Sequence, residues 1–249
     1  MEQETERRVL RLAHCSDVHL DTDYHGGVGD ISLRDQYRAV FADLLNRIRK
    51  QIPDLLLLPG DLFDSNRASA DTVTWAADQL ASLRCPVVMI PGNHDCLEEG
   101  SVFHRFDFRR ARNVVFLGAL EGERRDVEGL GVSVWGKGMV SHQPEFFPLA
   151  GMAAPRPGRW NLALGHGIYV GAQGNGYRSS PVRAAEIAAS GYDYIALGHH
   201  HAQLDVTQGW TAARYCGAPV PIASDRRGTY LMAELESGLP ARVTLHELD

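Results

Sequence analysis

The stretch "YDYIALGHHH" at residues 192–201 places three histidines directly behind a run of apolar residues. A short apolar run of this kind is typical of a β-strand that is covered on both faces. In sheets that alternate with helices, reactive side chains collect where the strands end and the loops begin. The stretch therefore predicts a buried strand with candidate functional residues at its end.

Four other apolar runs have the same character. They are "VLRLAHCS" at 9–16, "DLLLLPG" at 54–60, "CPVVMIPG" at 85–92 and "WNLALGHG" at 160–167. Apolar residues at helical spacing predict a helix over residues 33–48, and a second helix is expected over residues 68–83. Beyond residue 203 come short β-like segments with turns expected at Gly209, Gly217 and Gly228. This order of elements predicts a layered α/β fold with a β-rich end.

The composition describes a soluble globular protein. Of the 249 residues, 44% are hydrophobic, and they include no run long enough to span a membrane. The start "MEQETERRV" does not have the apolar core of a signal peptide, so we expect residues 1–8 to be a flexible tail and the protein to be cytoplasmic. The four cysteines form no CxxC pair, which favours reduced thiols. A net charge of −6 argues against broad attraction to nucleic acid.

Each of the five apolar runs ends in a polar cluster. The clusters contain Asp17 and His19, Asp61 and Asp64, Asn93, His94 and Asp95, His166, and His199 and His201. Side chains two positions apart on a strand share a face, so each D-x-H or H-x-H pair could bind one ion while His200 points away. Glycines precede Asp61, Asn93 and His199, as expected where a chain turns sharply.

The donors in these clusters are carboxylates, imidazoles and an amide oxygen. This mixture suits Mn, Fe or Zn and lacks the thiolates of a structural zinc site. Seven candidate ligands are too many for one ion with open positions, and they suit two ions that share a carboxylate. The sequence therefore predicts a two-metal centre.

The ordered motifs D-x-H, G-D-x-x-D, G-N-H-D, an isolated H and G-H-x-H resemble those of the calcineurin-like binuclear metallophosphoesterase superfamily. Within it, "GDLFDSNRAS" at 60–69 and "YCGAPVPIASDRRGTYLMAEL" at 215–235 are similar to SbcD-like DNA repair exonucleases, which work beside SMC-type ATPases. The resemblance implies central β-sheets flanked by helices in an αββα sandwich. It also implies that residues 9–249 form a single catalytic domain.

The resemblance also implies a role for each cluster. Two divalent ions, expected to be Mn with Fe, Zn or Ni as alternatives, would hold a bridging hydroxide that attacks phosphorus. His94 would contact the phosphate or protonate the leaving oxygen, and Asp95 would orient the His94 imidazole. The implied ligands are Asp17, His19 and His201 for the first ion, Asn93, His166 and His199 for the second, and Asp61 for both.

Four further residues are candidates for contact with the substrate. Asp64 is expected either to support the ligands or to contact the substrate, with stabilisation of its own loop as the alternative. Asn66 and Arg67 could touch a phosphate or simply lie on the surface. His142 could line the cleft or stand in an exposed loop.

The expected function is a Mn-dependent DNA nuclease, acting as an exonuclease, an endonuclease or both. The alternative is a phosphodiesterase or phosphatase that acts on a small nucleotide, lipid or sugar phosphoester. A non-catalytic interaction module is disfavoured because the ligand set is complete. The family's DNA-capping domain has no counterpart before Asp249. We therefore expect single-stranded or short duplex DNA as substrate, and the ATPase partnership stays open.

Overall fold

The computed structural model describes residues 9–22, 33–106, 108, 111–171, 179–220 and 227–248. The expected tail at residues 1–8 lies outside these ranges, as does part of the 215–235 segment. The helices are α1 (Leu33–Gln51), α2 (Ala70–Ala81), α3 (Val102–Arg105) and α4 (Ala184–Ser190), with a 3₁₀ turn at Glu128–Leu130. The strands are β1 (Leu10–His14), β2 (Leu55–Pro59), β3 (Val87–Ile90), β4 (Val114–Phe116), β5 (Glu123–Val127), β6 (Val132–Gly136), β7 (Trp160–His166), β8 (Ile168–Gly171), β9 (Pro181–Arg183), β10 (Tyr194–Gly198), β11 (Gln203–Asp205), β12 (Ala212–Cys216), β13 (Gly228–Leu235) and β14 (Arg242–Leu248).

The first sheet has the strand order β14-β13-β1-β2-β3-β4. Strands β1 to β4 run parallel, and β13 returns antiparallel against β1. Every residue of β2 is buried, which explains its continuous run of leucines. The carboxyl ends of β1, β2 and β3 therefore lie side by side at one edge.

The second sheet has the strand order β11-β12-β10-β7-β6-β5. Its centre is parallel, with β7 between β6 and β10, while β5 and β11 are antiparallel edge strands. Strands β7 and β10 are in register, since Gly198 is paired with His166 at their ends. The polar residues that follow β10 therefore lie beside the end of β7.

The two sheets pack face to face, and helices cover their outer faces. Leucines 55 and 57 of the first sheet share one core with Leu162, Leu164 and Tyr194 of the second. A second core joins the outer face of the first sheet to α1 and α2, and a third joins the outer face of the second sheet to Ile187 of α4. This arrangement confirms the α/β fold class and the αββα layering.

Both expected helices form. The buried residues of α1 are spaced along one face, with Phe41, Leu44, Leu45 and Ile48 facing the core. Helix α2 starts later than expected, at Ala70, because the Ser69 hydroxyl accepts the Thr72 N–H as an N-cap. None of the helices in the described part of the chain is long and apolar enough to cross a membrane.

The structure adds strands that the apolar runs did not indicate and corrects one expected turn. Strands β4, β5 and β6 went unpredicted, and β5 with its sequence "ERRDV" is a half-exposed edge strand without a continuous apolar run. Gly209 and Gly217 adopt positive φ in turns as expected. Gly228 instead begins β13, where its Cα packs against the carbonyl of Pro219.

Candidate metal centre

The polar clusters meet at one edge of the sandwich, where the carboxyl ends of β1, β2, β3, β7 and β10 converge. His166 is the last residue of β7, whereas the other candidate ligands lie in the loops that follow the strands. Strand β1 ends at His14 and β10 at Gly198, so neither D-x-H nor H-x-H lies on a strand. The expectation that strand alternation pairs these side chains is therefore wrong.

Left-handed backbone turns pair the side chains instead. Four candidate ligands have positive φ: Asp17 at 57°, His19 at 52°, Asp61 at 52° and His199 at 95°. Such a conformation costs about 1–3 kcal/mol for each residue other than glycine and persists only where the surroundings enforce it. Its concentration at this edge is characteristic of a functional site.

The glycines of the motifs allow close packing beneath the site. Gly60 combines a φ of +92° with a position where an added Cβ would overlap His166 Nδ1. At Gly92 and Gly198 the backbone is ordinary, and the requirement is for space, since a Cβ would overlap the Asp61 carboxylate or the Pro59 carbonyl. The expected sharp turn is therefore confirmed at Gly60. At Gly92 and Gly198, glycine is needed because neighbouring atoms leave no space for a Cβ.

The first group of donors consists of Asp17, His19 and His201. The two Nε2 atoms of His19 and His201 face each other at 3.2 Å, and His201 Nε2 lies 3.8 Å from Asp17 Oδ1. One donor atom from each of the three residues lies within 4.8 Å of the other two, a spacing that allows all three to bind a single ion. The structure thus brings together the three residues expected at the first metal.

The second group consists of Asn93, His166 and His199. Asn93 Oδ1 lies 2.9 Å from His166 Nε2 and 2.8 Å from His199 Nδ1. The three side chains come from loops or ends of both sheets and point at one place. They are the residues expected at the second metal.

Asp61 lies between the two groups. Its Oδ2 atom is 3.3 Å from His166 Nε2 in the second group and 3.9 Å from His19 Nε2 in the first. Its Oδ1 atom accepts the backbone N–H of His94 at 2.9 Å, which fixes the carboxylate plane. Asp61 therefore has the position that a bridging ligand requires.

Hydrogen bonds to the far side of each ring orient two of the imidazoles. His166 Nδ1 donates to the Pro59 carbonyl at 2.8 Å, and His19 Nδ1 donates to Asp64 Oδ1 at 3.1 Å. Each bond places the ring proton on Nδ1 and leaves the Nε2 lone pair facing the site. An imidazole oriented in this way can bind a cation through Nε2, and the cation replaces any proton on that atom.

The electrostatics of the cluster favour positive charge. Burial opposes protonation of His166, but electrostatic attraction to the Asp61 carboxylate and a hydrogen bond that His166 donates to it outweigh burial and raise the pKa of His166 to about 9. Burial raises the pKa of Asp17. For Asp61, burial is outweighed by His166, and the pKa lies well below its usual range. Two buried carboxylates therefore draw positive charge into the cluster, as a cation site requires.

The donor atoms fit two divalent ions. Ligand atoms about 2.1 Å from one ion and at right angles to each other lie roughly 3 Å apart. The distances of 2.8 to 3.3 Å that link His19 with His201, Asn93 with His166 and His199, and His166 with Asp61 agree with that spacing. Two facing imidazole Nε2 atoms would otherwise repel unless one were protonated.

His94 is oriented by Asp64 and not by Asp95. His94 Nδ1 donates to the backbone carbonyl of Asp64 at 2.8 Å, and the Asp64 carboxylate lies 3.6 Å from the same atom. Both oxygens of Asp95 are occupied by backbone N–H groups, of Gly92 at 2.7 Å and of Phe63 at 3.1 Å. The role expected for Asp95 is therefore corrected, because this buried carboxylate braces two loops against each other.

The Asp64 carboxylate supports the first group of ligands. It accepts His19 Nδ1–H, and burial is outweighed by hydrogen bonds from His19 and Thr22, so the pKa of Asp64 is lowered. Of the two expected roles, the structure therefore favours ligand support over contact with the substrate.

Asn66 is used within the protein. Its Nδ2 donates to the Cys96 carbonyl at 2.9 Å and to Glu98 at 3.0 Å, while its Oδ1 accepts the Val102 N–H. No atom of the amide is left for a phosphate, so the expected contact of Asn66 with a phosphate is wrong. Arg67 is exposed on the same loop, and its contact with a phosphate stays a prediction.

His142 and His200 have different environments. The His142 ring lies 4.8 Å from the His199 ring, at the wall of the site. His200 Nδ1 instead donates to the Ala202 carbonyl at 2.7 Å, and the His200 ring packs against Tyr215. His200 thus points away from the ligands, as expected.

A family model for calcineurin-like phosphoesterases matches residues 10–203, a span that contains both groups of ligands. The chain belongs to the calcineurin-like phosphoesterase family. Members of this family are metallophosphoesterases, which hydrolyse phosphate esters at a two-metal centre.

Two curated proteins and one solved structure illustrate the similarity. The chain is 29% identical over 113 residues to a probable cyclic nucleotide phosphodiesterase of Pseudoalteromonas sp., covering 45% of this chain and 42% of that protein. It is 25% identical over 262 residues to the DNA double-strand break repair protein Mre11 of Methanopyrus kandleri, covering 92% and 55%. The chain thus spans about half the length of these relatives. A dimetal phosphatase from Danio rerio shares the fold, with a TM-score of 0.60 at 10% identity over 96% of this chain and 95% of that one.

This calcineurin-like phosphoesterase also has supporting residues that the motifs did not reveal. Buried Asp21, with a φ of 67°, accepts the Ser69 N–H at 2.8 Å and the Thr72 hydroxyl at 2.7 Å, and so docks the loop after His19 onto α2. Ser16 donates to the carbonyls of Pro59 and Gly60. The motif "SDVHLD" contains both residues, but their partners depend on how distant loops approach each other.

Proposed function

We propose that this metallophosphoesterase is a phosphodiester hydrolase that acts on DNA, with Mn as its metal. The observation that carries the hydrolase assignment is Asp61 Oδ2, which lies within 4 Å of a histidine nitrogen in each of the two ligand groups. Support for DNA comes from the extent of the similarity, because the Mre11 alignment covers 92% of the chain.

The residues present fit two divalent ions. Asp17, His19 and His201 would hold the first, Asn93, His166 and His199 the second, and Asp61 both. Divalent ions in sites of this type activate water and offset the negative charge of the phosphate. The donor set accepts Mn, Fe, Zn or Ni, and the supply in the cell decides among them.

His94 is placed to transfer a proton. Its Nδ1–H bond to the Asp64 carbonyl leaves Nε2 as the atom free to protonate a leaving oxygen. The Asp64 carboxylate lies 3.6 Å from the same Nδ1 atom. The His94 side chain is 41% exposed and therefore accessible to a substrate.

Charge limits the kind of DNA that we expect to bind. The net charge of −6 provides no broad attraction to a phosphate backbone. We therefore propose that the protein contacts a short stretch of strand at the metal centre, as in single-stranded or short duplex DNA.

A second candidate substrate is a small phosphodiester such as a cyclic nucleotide. The observation that favours it is the 29% identity to a probable cyclic nucleotide phosphodiesterase over 113 residues. That alignment covers 45% of the chain, which is why DNA is placed first.

The test compares substrates under one set of conditions. Mn-loaded protein is assayed on linear and circular single-stranded DNA, short duplex DNA, 3′,5′-cyclic AMP, bis(4-nitrophenyl) phosphate and 4-nitrophenyl phosphate, with Asp61→Asn as the inactive control. We expect turnover of both aryl and DNA diesters, with DNA preferred over cyclic AMP. Cleavage of circular DNA would assign endonuclease activity. Inert DNA alongside rapid turnover of cyclic AMP would overturn the DNA assignment in favour of the second candidate.

A further inference from the structure

Two histidines outside the ligand groups flank the centre, one on each side. The His94 ring lies 4.6 Å from the His19 ring, beside the first group. The His142 ring lies 4.8 Å from the His199 ring, beside the second group. The family motifs include His94, whereas His142 is in the loop between β6 and β7 and belongs to none of them. The second flank thus has its own imidazole.

Ser180 fixes the His142 ring. The Ser180 hydroxyl lies 2.9 Å from His142 Nδ1, and the serine is fully buried. Its backbone N–H donates to the Gln143 carbonyl at 2.8 Å, and its carbonyl accepts the Ile168 N–H at 3.0 Å. Ser180 therefore ties the loop of His142 to the strand that follows His166.

The backbone of Ser180 is held under constraint. Its φ of 51° lies in the left-handed region, and a Cβ added to Gly167 would overlap its carbonyl oxygen. A serine that is buried, has a left-handed backbone and lies close to Gly167 cannot shift without disturbing its neighbours. The position of its hydroxyl is accordingly well defined.

The hydrogen bond determines which nitrogen of His142 carries the proton. Among the residues that the structure describes, the Ser180 hydroxyl forms its hydrogen bond with His142 Nδ1. We assign Ser180 Oγ–H as the donor to Nδ1, because a buried hydroxyl donates its proton where an acceptor is present. The ring proton then resides on Nε2, which makes Nε2 a hydrogen-bond donor and unsuitable as a metal ligand.

We propose that His142 is a substrate-contacting residue whose Nε2–H donates to a phosphate oxygen on the side of Asn93, His166 and His199, and that Ser180 is its positioning residue. The inference rests on the proposed function, since it names a phosphate contact of the same site. His94 and His142 would then bind the phosphate from opposite flanks. The ligand class is a phosphate ester, and inorganic phosphate is its simplest probe.

The test uses Mn-loaded wild type and the variants His142→Ala, His142→Gln, Ser180→Ala and His142→Ala/Ser180→Ala, with exposed His104→Ala as the matched control. Mn content is measured by elemental analysis, binding of inorganic phosphate by calorimetry, and KM and kcat with bis(4-nitrophenyl) phosphate. His142→Gln keeps a donor of similar reach in case His142→Ala does not fold.

We expect His142→Ala to retain two Mn ions and to bind phosphate about 10- to 100-fold more weakly, because a hydrogen bond to a charged group is lost. Its KM should rise more than its kcat falls. Ser180→Ala should weaken phosphate binding about 3- to 10-fold. The double variant should be no weaker than His142→Ala, because Ser180 acts through the ring. His142→Gln should recover part of the affinity, and His104→Ala should match wild type.

Three results would overturn the inference while the proposed function stands. They are wild-type phosphate affinity in His142→Ala, loss of one Mn ion in that variant, and additive losses in the double variant. If the wild-type protein itself takes up no Mn or hydrolyses no phosphoester, the proposed function fails and this inference fails with it.

Discussion

The loops of the first sheet and those of the second contribute differently to the metal centre. The first sheet supplies both carboxylate ligands, Asp17 and Asp61, and its loops are joined to one another by hydrogen bonds. Asp95 joins the loop after β3 to the loop after β2, and Asn66 joins the same two loops from the other side. This half of the site is held by contacts within its own sheet.

The second sheet supplies imidazoles, and the first sheet holds them in place. His166 donates through Nδ1 to the Pro59 carbonyl at the end of β2. The backbone N–H of His199 donates to both oxygens of Asp17, at 2.9 and 3.2 Å. From these bonds we predict that the imidazole half depends on the carboxylate half more than the carboxylate half depends on it.

The largest effect is expected at the residue that both halves share. Asp61→Asn keeps the shape and the acceptor for the His94 N–H but removes the charge between the two groups. We expect loss of both ions and a fall in kcat of more than about 10³-fold, beyond the 10- to 100-fold typical of residues that only support ligands. Elemental analysis of the purified variant checks the ions, and two retained ions would refute the bridging role.

Loss of His94 should reduce turnover without loss of metal. We expect His94→Gln to retain both ions and to lose about 10²- to 10⁴-fold in kcat on DNA, because the leaving alkoxide then departs without a proton. The loss should be much smaller on bis(4-nitrophenyl) phosphate, whose leaving group is already stable as an anion. Equal losses on the two substrates would show that His94 does not act as the acid.

The direction of dependence is tested by substitutions of Asp17 and His199. His199→Ala should lose the second ion and keep the first. Asp17→Ala should lose both ions, because it removes a ligand of the first ion and leaves the partly buried His199 N–H without an acceptor. Asp17→Asn keeps that acceptor and should retain the second ion. Equal Mn content in Asp17→Ala and Asp17→Asn would contradict the dependence of the second ion on the hydrogen bond between His199 and Asp17.

A smaller effect is expected where the first half supports its own ligand. Asp64→Asn weakens the bond that holds the Nδ1–H of His19, so affinity for the first ion should fall about 10- to 100-fold. Its backbone carbonyl still accepts from His94, so kcat at saturating Mn should change little. Mn titration followed by activity separates the two quantities, and a kcat loss that saturating Mn does not repair would count against this role.

The smallest effect is on stability, at the contact between the two halves. Gly60→Ala adds a Cβ against His166 at positive φ and should lower the free energy of unfolding by about 2–5 kcal/mol. Gly158 has a φ of +72° with open space around it, so Gly158→Ala should lose only about 1 kcal/mol of that free energy. Urea unfolding of both variants checks the difference. Equal losses would mean that backbone strain alone accounts for the cost of Gly60→Ala, with no contribution from the overlap with His166.

The sequence predicted the site better than it predicted the supports of the site. Asp17, Asp61, Asn93, His166 and His199 each follow an apolar run, and parallel strands bring their ends together whatever the loops do. The residues that support the site form hydrogen bonds to other loops, and these partners depend on how the loops approach each other in the fold. The local sequence therefore gave no signal for the bonds of Asp95 with Gly92 and Phe63. The pairing of His142 with Ser180 joins positions 38 residues apart, in segments without a motif.

The fold shows the same division. Strands β2 and β10 are buried on both faces, have continuous apolar runs and were predicted. Strand β6 is equally buried but went unpredicted, because Ser133 interrupts its apolar run. Edge strands have mixed sequences, and β5 with its charged residues shows why they were not. The left-handed turns at Asp17 and His199 also lacked a signal, because neither residue is a glycine and the surrounding contacts enforce the conformation.

Anomalous diffraction from crystals of the protein loaded with saturating Mn tests the central claim most directly. The account predicts two anomalous peaks, one among Asp17, His19 and His201 and one among Asn93, His166 and His199, with Asp61 in contact with both. A single peak, or none, would contradict it.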